Sequence, residues 1–163
     1  MKTYILDTNV LIQSPAALFS FDDNKIVLPI AVLEDLDKLK NEDGERGANA
    51  RESIRNLEYF RQTANLITGA PLANGGSLRI ELNCDSVDLP YGFKDNCNDN
   101  RILKVCKGLQ NRGEKVILVT KDIIVRLKAQ TMSIPAEDFL TEQAPTFMDQ
   151  YTCLLYTSPS PRD

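Results

Sequence analysis

The stretch YILDTNVL, from Tyr4 to Leu11, begins as an apolar run and becomes polar at Asp7. An unbroken run of this kind over residues 3–7 is typical of a strand that is buried on both faces. Asp7 and Asn9 stand where that run should end in a turn. The strand therefore delivers a carboxylate to its own C-terminal end.

The sequence KVILVTKD, from Lys115 to Asp122, repeats the arrangement. A predicted strand over residues 116–119 runs into Thr120 and Asp122, and a new helix follows. Two separate strands thus end in an acidic residue.

Strand and helix patterns alternate along the rest of the chain. Ile30, Leu33 and Leu36 or Asp37 recur at helical spacing and predict one apolar face. The alternation predicts an α/β fold with right-handed crossovers and a central, mainly parallel sheet of about five strands. The other predicted elements are a strand over 26–28 stopped by Pro29, a helix from Ile30 that fades by 41–44, a helix from Gly47 or Ala48 to Thr63 with Ala50, Ile54, Leu57 and Phe60 on its apolar face, a loop over 68–77, a strand in LRIEL (78–82), a helix within 97–113 and a last short strand within 133–139.

The composition limits the chemistry that the chain can perform. It contains no histidine, and its four cysteines lack C-x-x-C spacing, which nearly excludes an ordinary zinc site and any histidine-based nucleophile pair. The net charge of −4 argues against nucleic-acid binding over the whole surface but is compatible with a local basic track. No apolar run is long enough to span a bilayer and the N-terminus makes a poor signal peptide, so we expect a cytoplasmic protein without a membrane partner.

Several acidic side chains fall at corresponding ends of the predicted elements. Ligands of open parallel sheets bind at the carboxyl ends of strands, where the strand order reverses. If the strands over 3–7 and 116–119 are neighbours there, Asp7 and Asp122 converge and Asp99 faces them from the start of its helix. Glu34 and Asp35 lie on the helix after the second strand, at the same edge.

Carboxylates gathered in one cleft repel each other, and the usual compensation is a divalent cation with oxygen ligands. Mg²⁺ or Mn²⁺ suits these residues, and either ion lowers the pKa of bound water and stabilises a phosphoryl transition state. The pattern therefore predicts phosphodiester hydrolysis, with Asn9 and Thr120 orienting Asp7 or a water molecule. A single Asp after a strand is often only a turn or capping residue, so the prediction depends on the joint pattern.

Five segments together resemble a known family. The segments ILDTNVLI (5–12), VLPIAVLEDLDKLK (27–40), NDNRIL (98–103) and VTKD (119–122), in that order, resemble the motifs of the PIN nuclease domain. The segment GANAR (47–51) makes the chain resemble the PIN domain that precedes the ATPase domain in PhoH-like proteins. The resemblance covers about residues 2–141 and implies a three-layer α/β/α fold.

The resemblance also implies an activity, namely Mg²⁺- or Mn²⁺-dependent cleavage of single-stranded RNA. Asp7 would be the first acid, Asp99 the third and Asp122 the fourth. The family usually has Glu immediately before the Leu of the second motif, where this chain has Asp35, with Glu34 one residue earlier. Both stay candidate ligands, and the register favours Asp35.

Basic residues flank these acids in sequence and are candidates for holding RNA phosphates beside the cleft. Arg51 and Arg55 are one turn apart and could instead pair with Glu58 or Asp43 on a solvated helix face. The chain has no run of aromatic residues that would form a platform for stacking bases, so the sequence does not indicate which RNA sequence is preferred. The candidates are Arg46, Arg51, Arg55, Arg101 and Lys121.

Three other functions compete with the nuclease. A haloacid-dehalogenase-like phosphatase needs a second Asp two residues after the first, where this chain has Asn9. A receiver domain needs an Asp after the third strand, where only Asp85 and Asp88 occur, in a loop. The third alternative is a catalytically inactive PIN module that binds RNA or a partner. The short side chain of Asp35 and the net negative charge favour it, whereas the presence of an acidic residue at all four expected positions argues against it.

We predict three regions along the chain: a PIN-like domain over 1–141, the start of a linker over 142–152, and a sequencing artefact over 153–163. The last eleven residues, CLLYTSPSPRD, back-translate without a mismatch to the end of a transposon-based sequencing adapter, so we expect them to have no packed position. No P-loop pattern occurs in the chain, and the resemblance places the ATPase domain beyond it. Homo-oligomerisation is left open.

Overall fold

The computed structural model describes residues 1–93 and 97–140, which form a six-stranded sheet and five α-helices. The elements are β1 (Thr3–Leu6), α1 (Thr8–Gln13), a 3₁₀ helix (Pro15–Phe19), β2 (Lys25–Pro29), α2 (Ile30–Leu39), α3 (Gly44–Thr63), β3 (Ala70–Pro71), β4 (Ser77–Glu81), α4 (Asn98–Asn111), β5 (Val116–Val119), α5 (Ile123–Thr131) and β6 (Ala136–Glu137).

The strand order is β3-β4-β2-β1-β5-β6, and every pair is parallel except β3 with β4. The predicted three-layer α/β/α fold with a mainly parallel sheet is therefore confirmed. β1 and β5 are both interior strands, and their residues Ile5, Leu6 and Leu118 are fully buried. Continuous apolar runs suit this position because both faces of a parallel sheet are covered.

Three elements were not predicted, namely α1, the 3₁₀ helix and β3. Residues 8–13 form α1 directly after β1, because the Asp7 side chain caps the helix by accepting a hydrogen bond from the Thr8 backbone N–H. Residues 68–77 were predicted to be a loop, but Ala70 and Pro71 pair with β4 as the short antiparallel strand β3. The sheet has six strands and not about five because of this edge strand.

The apolar faces of two helices were predicted correctly only in part. In α2 the buried residues are Ala31, Val32 and Leu36, whereas Ile30 and Leu33 are only partly buried. Pro29 ends β2 and directly precedes the first turn of α2, and the packing of α2 in the core turns Ala31 and Val32 inward.

α3 begins at Gly44, three residues before the predicted Gly47. Its buried stripe is formed by Gly47, Ala50, Ser53 and Leu57. Small residues line this stripe because α3 packs against both α1 and α2. Of the other residues predicted on this face, Ile54 and Phe60 are partly buried.

The GANAR segment holds three pieces of the chain together at the start of α3. A Cβ atom on Gly47 would lie 1.8 Å from the Glu42 carbonyl oxygen, so only glycine fits. Asn49 Nδ2 donates to the Ile12 carbonyl oxygen at 2.8 Å, at the end of α1. Arg51 Nη1 donates to the carbonyl oxygen of Lys40 at 2.6 Å, just past α2. The segment therefore fixes α3 against α1 and α2.

Gly47→Ala tests this close approach. Alanine is better in a helix than glycine by about 1 kcal/mol, but here its methyl group must displace the Glu42 carbonyl. We expect the free energy of unfolding, measured by urea denaturation, to fall by about 1–3 kcal/mol. Ala48→Ser, at the exposed neighbouring position, is the control and should change it by less than about 0.5 kcal/mol. A Gly47→Ala protein as stable as the wild type would contradict the packing described.

Among residues 1–93 and 97–140, no helix combines the length and apolar character needed to cross a membrane. The predicted linker over 142–152, and the expectation that residues 153–163 have no packed position, lie outside the described residues.

Candidate functional site

The sheet reverses its strand order between β1 and β5. After β1 the chain adds β2 and β4 on one side, and it then returns to the other side of β1 to form β5 and β6. Thr3 to Leu6 pair with Val116 to Val119 in parallel register, so both strands end at the same level. Asp7 and Thr120 follow these ends directly, at the place where open α/β sheets bind ligands.

The Asp7 carboxylate is buried, with 4% of the residue exposed. Its Oδ1 accepts a hydrogen bond from the Thr8 backbone N–H at 2.7 Å. Its Oδ2 accepts one from Thr120 Oγ1 at 2.8 Å and one from Asn9 Nδ2 at 3.2 Å. These donors fix the orientation of the carboxylate between β1 and β5.

Asn9 and Thr120 also shape the turn after β5. Asn9 Oδ1 accepts from the Lys121 backbone N–H at 2.9 Å, and Thr120 Oγ1 accepts from the Asp122 backbone N–H at 3.1 Å. The two side chains therefore join the end of β1 to the loop that carries Asp122. This placement suits the predicted orienting role, which stays a prediction.

Asp35 and Glu34 point to different partners, although they are adjacent on α2. Asp35 Oδ2 accepts from Thr8 Oγ1 at 2.9 Å, and Asp35 Oδ1 accepts from Asn98 Nδ2 at 2.6 Å. Glu34 instead forms an ion pair with Arg101 at 2.6 Å, and its side chain is half exposed. The structure thus places Asp35 beside the residue that follows Asp7.

Asp99 and Asp122 stand at the first turns of α4 and α5. Asp122 Oδ1 accepts from the Ile124 backbone N–H at 2.9 Å and so caps α5. Asp99 is partly buried, and burial is the main cause that raises its pKa above the ordinary value. The negative charges of Asp122 and Asp35 raise that pKa further, whereas Lys128 lowers it.

Burial raises the pKa of Asp7 from 3.8 to about 6. The hydrogen bonds from Thr120 and Thr8 oppose this shift, and the negative charges of Asp99 and Asp35 add to it. The negative electrostatic fields of Asp99 and Asp35 therefore extend to the Asp7 carboxylate. Within the described residues, none of Asp7, Asp35, Asp99 and Asp122 forms an ion pair with Lys or Arg.

The acids fit a hard divalent cation by their chemistry and charge. Their donor atoms are carboxylate oxygens, which Mg²⁺ and Mn²⁺ prefer. A cation would also offset negative charge that no Lys or Arg of the described residues pairs with. In their present arrangement, however, no three His, Cys, Asp or Glu side chains of residues 1–93 and 97–140 form a ready ligand set.

Three of the predicted RNA-binding residues already have protein partners. Arg51 donates to the Lys40 and Glu42 carbonyl oxygens. Arg101 is bound to Glu34. Lys121 Nζ donates to Asp138 Oδ1 at 3.2 Å and to the Phe139 carbonyl oxygen. The predicted pairing of Arg51 with Glu58 or Asp43 is not formed, and Glu58 pairs with Arg61.

The other two are more accessible. Within the described residues, Arg46 makes only a long ion pair with Glu42, at 3.5 Å on an exposed surface. Arg55 is exposed and forms no ion pair or hydrogen bond within the part of the chain that the structure describes. Arg46 also lines a cavity of about 420 Å³ that reaches Asn9.

Thr8 and Asn98 were missed, although both contact Asp35. Each is an immediate neighbour of a predicted acid, in the segments DTN and NDN. That adjacency was the signal available, but a polar residue at a helix start is more often a cap.

A family model described as PIN domain matches residues 4–140. The chain belongs to the PIN-domain family. The predicted relation to PhoH-like proteins is confirmed as well, because the protein PhoH2 of Bacillus subtilis (strain 168) is 46% identical over 149 residues, covering 87% of this chain and 34% of that protein. PhoH2 of Mycolicibacterium smegmatis is 37% identical over 142 residues, covering 85% of this chain and 32% of that protein.

The PIN domain therefore spans about a third of the length of these curated relatives. A domain of a functionally unknown protein from Methanocaldococcus jannaschii DSM 2661 has a TM-score of 0.55 and 22% identity, covering 96% of this chain and 100% of that one. This likeness concerns the fold alone. PIN domains are in general nucleases, so the family supports a nuclease-type module and hydrolase chemistry at that level.

Proposed function

We propose that this PIN domain is a Mg²⁺- or Mn²⁺-dependent endoribonuclease that hydrolyses phosphodiester bonds of single-stranded RNA. One observation carries the proposal. Asp7, Asp35 and Asp99 lie around the β1–β5 switch point with overlapping negative fields, and Asp122 adds its charge to that of Asp99. A purely structural cluster of this kind would normally contain a Lys or Arg partner.

Each acid has a proposed role that follows from its contacts. Asp7, held by Thr120 and Asn9, is the central ligand. Asp35, from the middle of α2, and Asp99 and Asp122, from the starts of α4 and α5, complete the ligand set. The ion supplies Lewis-acid chemistry, namely a lowered pKa for bound water and charge stabilisation at the phosphorus.

The negative field of the acids makes the placement of the RNA strand important. Phosphates are repelled by carboxylates, so cationic side chains beside the cleft must hold the strand. Arg46 and Arg55 suit this role best, because they are exposed and weakly engaged. The cavity lined by Asn9 and Arg46 lies between Asn9, which donates a hydrogen bond to Asp7, and the start of α3. We therefore place the strand along this side of the site.

An inactive module that binds RNA or a partner is the alternative, and one observation favours it. Both oxygens of Asp35 are already occupied by Thr8 and Asn98, and no ready ligand set exists among the described residues. Binding of RNA without cleavage would support this alternative.

Cleavage of matched substrates tests the proposal. Internally labelled single-stranded RNA, its DNA counterpart and the RNA duplex are incubated with the chain in Mn²⁺, Mg²⁺ or EDTA. We expect internal cuts in the single-stranded RNA alone and only with a metal ion. Products that form equally in EDTA would contradict the proposal. Asp37→Asn is the matched control, since this exposed acid of α2 pairs with Lys40 at 2.6 Å and should be dispensable.

Further features of the whole protein are also proposals. The relatives are about three times as long as the matched region, and we propose that an ATPase domain accounts for the remainder. Cytoplasmic location stays a prediction, and homo-oligomerisation stays open.

A further inference from the structure

A chain of hydrogen bonds links α2 to the first turn of α4. Asn98 Nδ2 donates to Asp35 Oδ1 at 2.6 Å, and Asn98 Oδ1 accepts from Arg101 Nη1 at 2.9 Å. Arg101 also donates to Glu34, from Nη1 to Oε1 at 2.6 Å and from Nη2 to Oε2 at 3.4 Å. We call these four residues the α2–α4 bridge, because the contacts leave α2 at Asp35 and return to it at Glu34.

The bridge allows only one orientation of the Asn98 amide. A guanidinium group has donors and no acceptor, so Asn98 must turn its carbonyl oxygen towards Arg101. The amide nitrogen is then left facing Asp35, whose ionised carboxylate only accepts. Arg101 therefore determines, through Asn98, which atom meets Asp35.

Arg101 is itself fixed by acceptors on three parts of the chain. Besides Glu34 and Asn98 it reaches Asn83 after β4, with Nε and Nη2 at 3.2 and 3.0 Å from Asn83 Oδ1. The planar fork of arginine can serve several acceptors at once, which the single ammonium group of lysine cannot do in the same geometry.

We propose that Asn98 and Arg101 are positioning residues that hold the Asp35 carboxylate at the metal site, and that Glu34 acts through Arg101 and not as a ligand. The inference rests on the proposed function, since that function makes Asp35 a metal ligand. The physical reason is the length of the Asp35 side chain. Asp35 is one methylene shorter than glutamate, so its carboxylate depends more closely on where α2 and α4 lie. Thr8 fixes the second oxygen of Asp35 from the side of β1.

Mn²⁺ binding by calorimetry tests the positioning role. Arg101→Lys keeps the positive charge but loses the planar guanidinium group with its several donors. Asn98→Ala removes the hydrogen-bond donor to Asp35. We expect both to weaken Mn²⁺ binding by about 10-fold or more, with cleavage recovering at high Mn²⁺ concentration. Glu34→Gln keeps one acceptor for Arg101 and should weaken Mn²⁺ binding less than Arg101→Lys does, whereas loss of a ligand would weaken binding at least as much as Arg101→Lys.

Lys104→Gln is the matched control, because Lys104 lies one turn further along α4 and forms no hydrogen bond or ion pair within the described residues. It removes a charge and should leave Mn²⁺ affinity unchanged. Unchanged affinity in both Arg101→Lys and Asn98→Ala would overturn the positioning role. Equal loss in Lys104→Gln would also overturn it, since general electrostatics would then explain the effect.

NMR of the metal-free chain gives a readout that does not depend on the proposed function. The side-chain NH₂ signals of Asn98 should shift in Arg101→Lys and stay in place in Lys104→Gln. Asn98 signals that are the same in Arg101→Lys as in the wild type would overturn the bridge. If the wild-type chain binds no Mn²⁺, the proposed function is wrong. The NMR spectra still test the bridge in that case: a shift of the Asn98 signals in Arg101→Lys supports the positioning of Asn98 by Arg101, and unchanged signals overturn it.

Discussion

Asp7→Asn is expected to abolish metal-dependent RNA cleavage and at the same time to stabilise the metal-free protein. Asparagine is nearly isosteric but has no charge to attract a cation. Since loss of a residue that only orients a ligand costs about 10–100-fold, loss of the central ligand should exceed about 100-fold. Initial rates on single-stranded RNA in saturating Mn²⁺ measure the effect.

The gain in stability follows from the pKa of Asp7. Burial raises this pKa from 3.8 to about 6, so the folded protein binds a proton more readily than the unfolded chain. The wild-type free energy of unfolding therefore falls as pH rises from about 4 to about 6 and stays reduced above that range. The pKa shift corresponds to a loss of roughly 3 kcal/mol in the free energy of unfolding at neutral pH. Asparagine removes this loss but gives up one hydrogen-bond acceptor, worth about 1 kcal/mol.

Thermal unfolding in EDTA checks this part of the prediction. At pH 7.5 the Asp7→Asn protein should have the higher Tm, and the difference should shrink towards pH 4.5. Asp37→Asn, at an exposed acid of the neighbouring helix, should show neither effect. If Asp7→Asn lost activity and Tm together, Asp7 would be a structural residue.

Asp99→Asn is expected to reduce cleavage by at least about 100-fold without a change in stability. Within the described residues the Asp99 side chain forms no ion pair with a Lys or Arg; Asp122 and Asp35 repel its charge, and Lys128 attracts it. Relief of this repulsion offsets the lost charge at the N-terminus of α4, which is worth about 0.3–1 kcal/mol. Urea denaturation should therefore give a wild-type free energy of unfolding.

Asp122→Asn provides a useful comparison with Asp99→Asn. The asparagine oxygen can still accept from the Ile124 backbone N–H, so the cap of α5 survives. Wild-type cleavage by Asp99→Asn would remove α4 from the proposed site, even if Asp122→Asn were inactive.

The sequence was sufficient to predict the strands that carry the site, for a physical reason. β1 and β5 are apolar on both faces and end abruptly in polar residues, so Asp7 and Asp122 could be assigned to strand ends without any knowledge of packing. The adjacency of the two strands was a supposition that only the topology could decide, and it is confirmed.

Features that depend on tertiary contacts could not be predicted in the same way. α1 was missed because Asp7 is both the end of a strand and the cap of a helix, and nothing separates the two elements. The rotation of α2 is set by its packing in the core and not by the spacing of Ile30 and Leu33 alone. Asn98 bonds to a residue 63 positions away, which no local pattern indicates.

The central claim is that the carboxylates around Asp7 jointly bind a divalent cation. The most direct measurement is a calorimetric titration of Mn²⁺ into the chain at pH 7.5, with the Asp7→Asn and Asp37→Asn proteins titrated in parallel. We predict saturable binding by the wild type and by Asp37→Asn, and none by Asp7→Asn. Equal binding by all three proteins, or binding by none of them, would contradict the account.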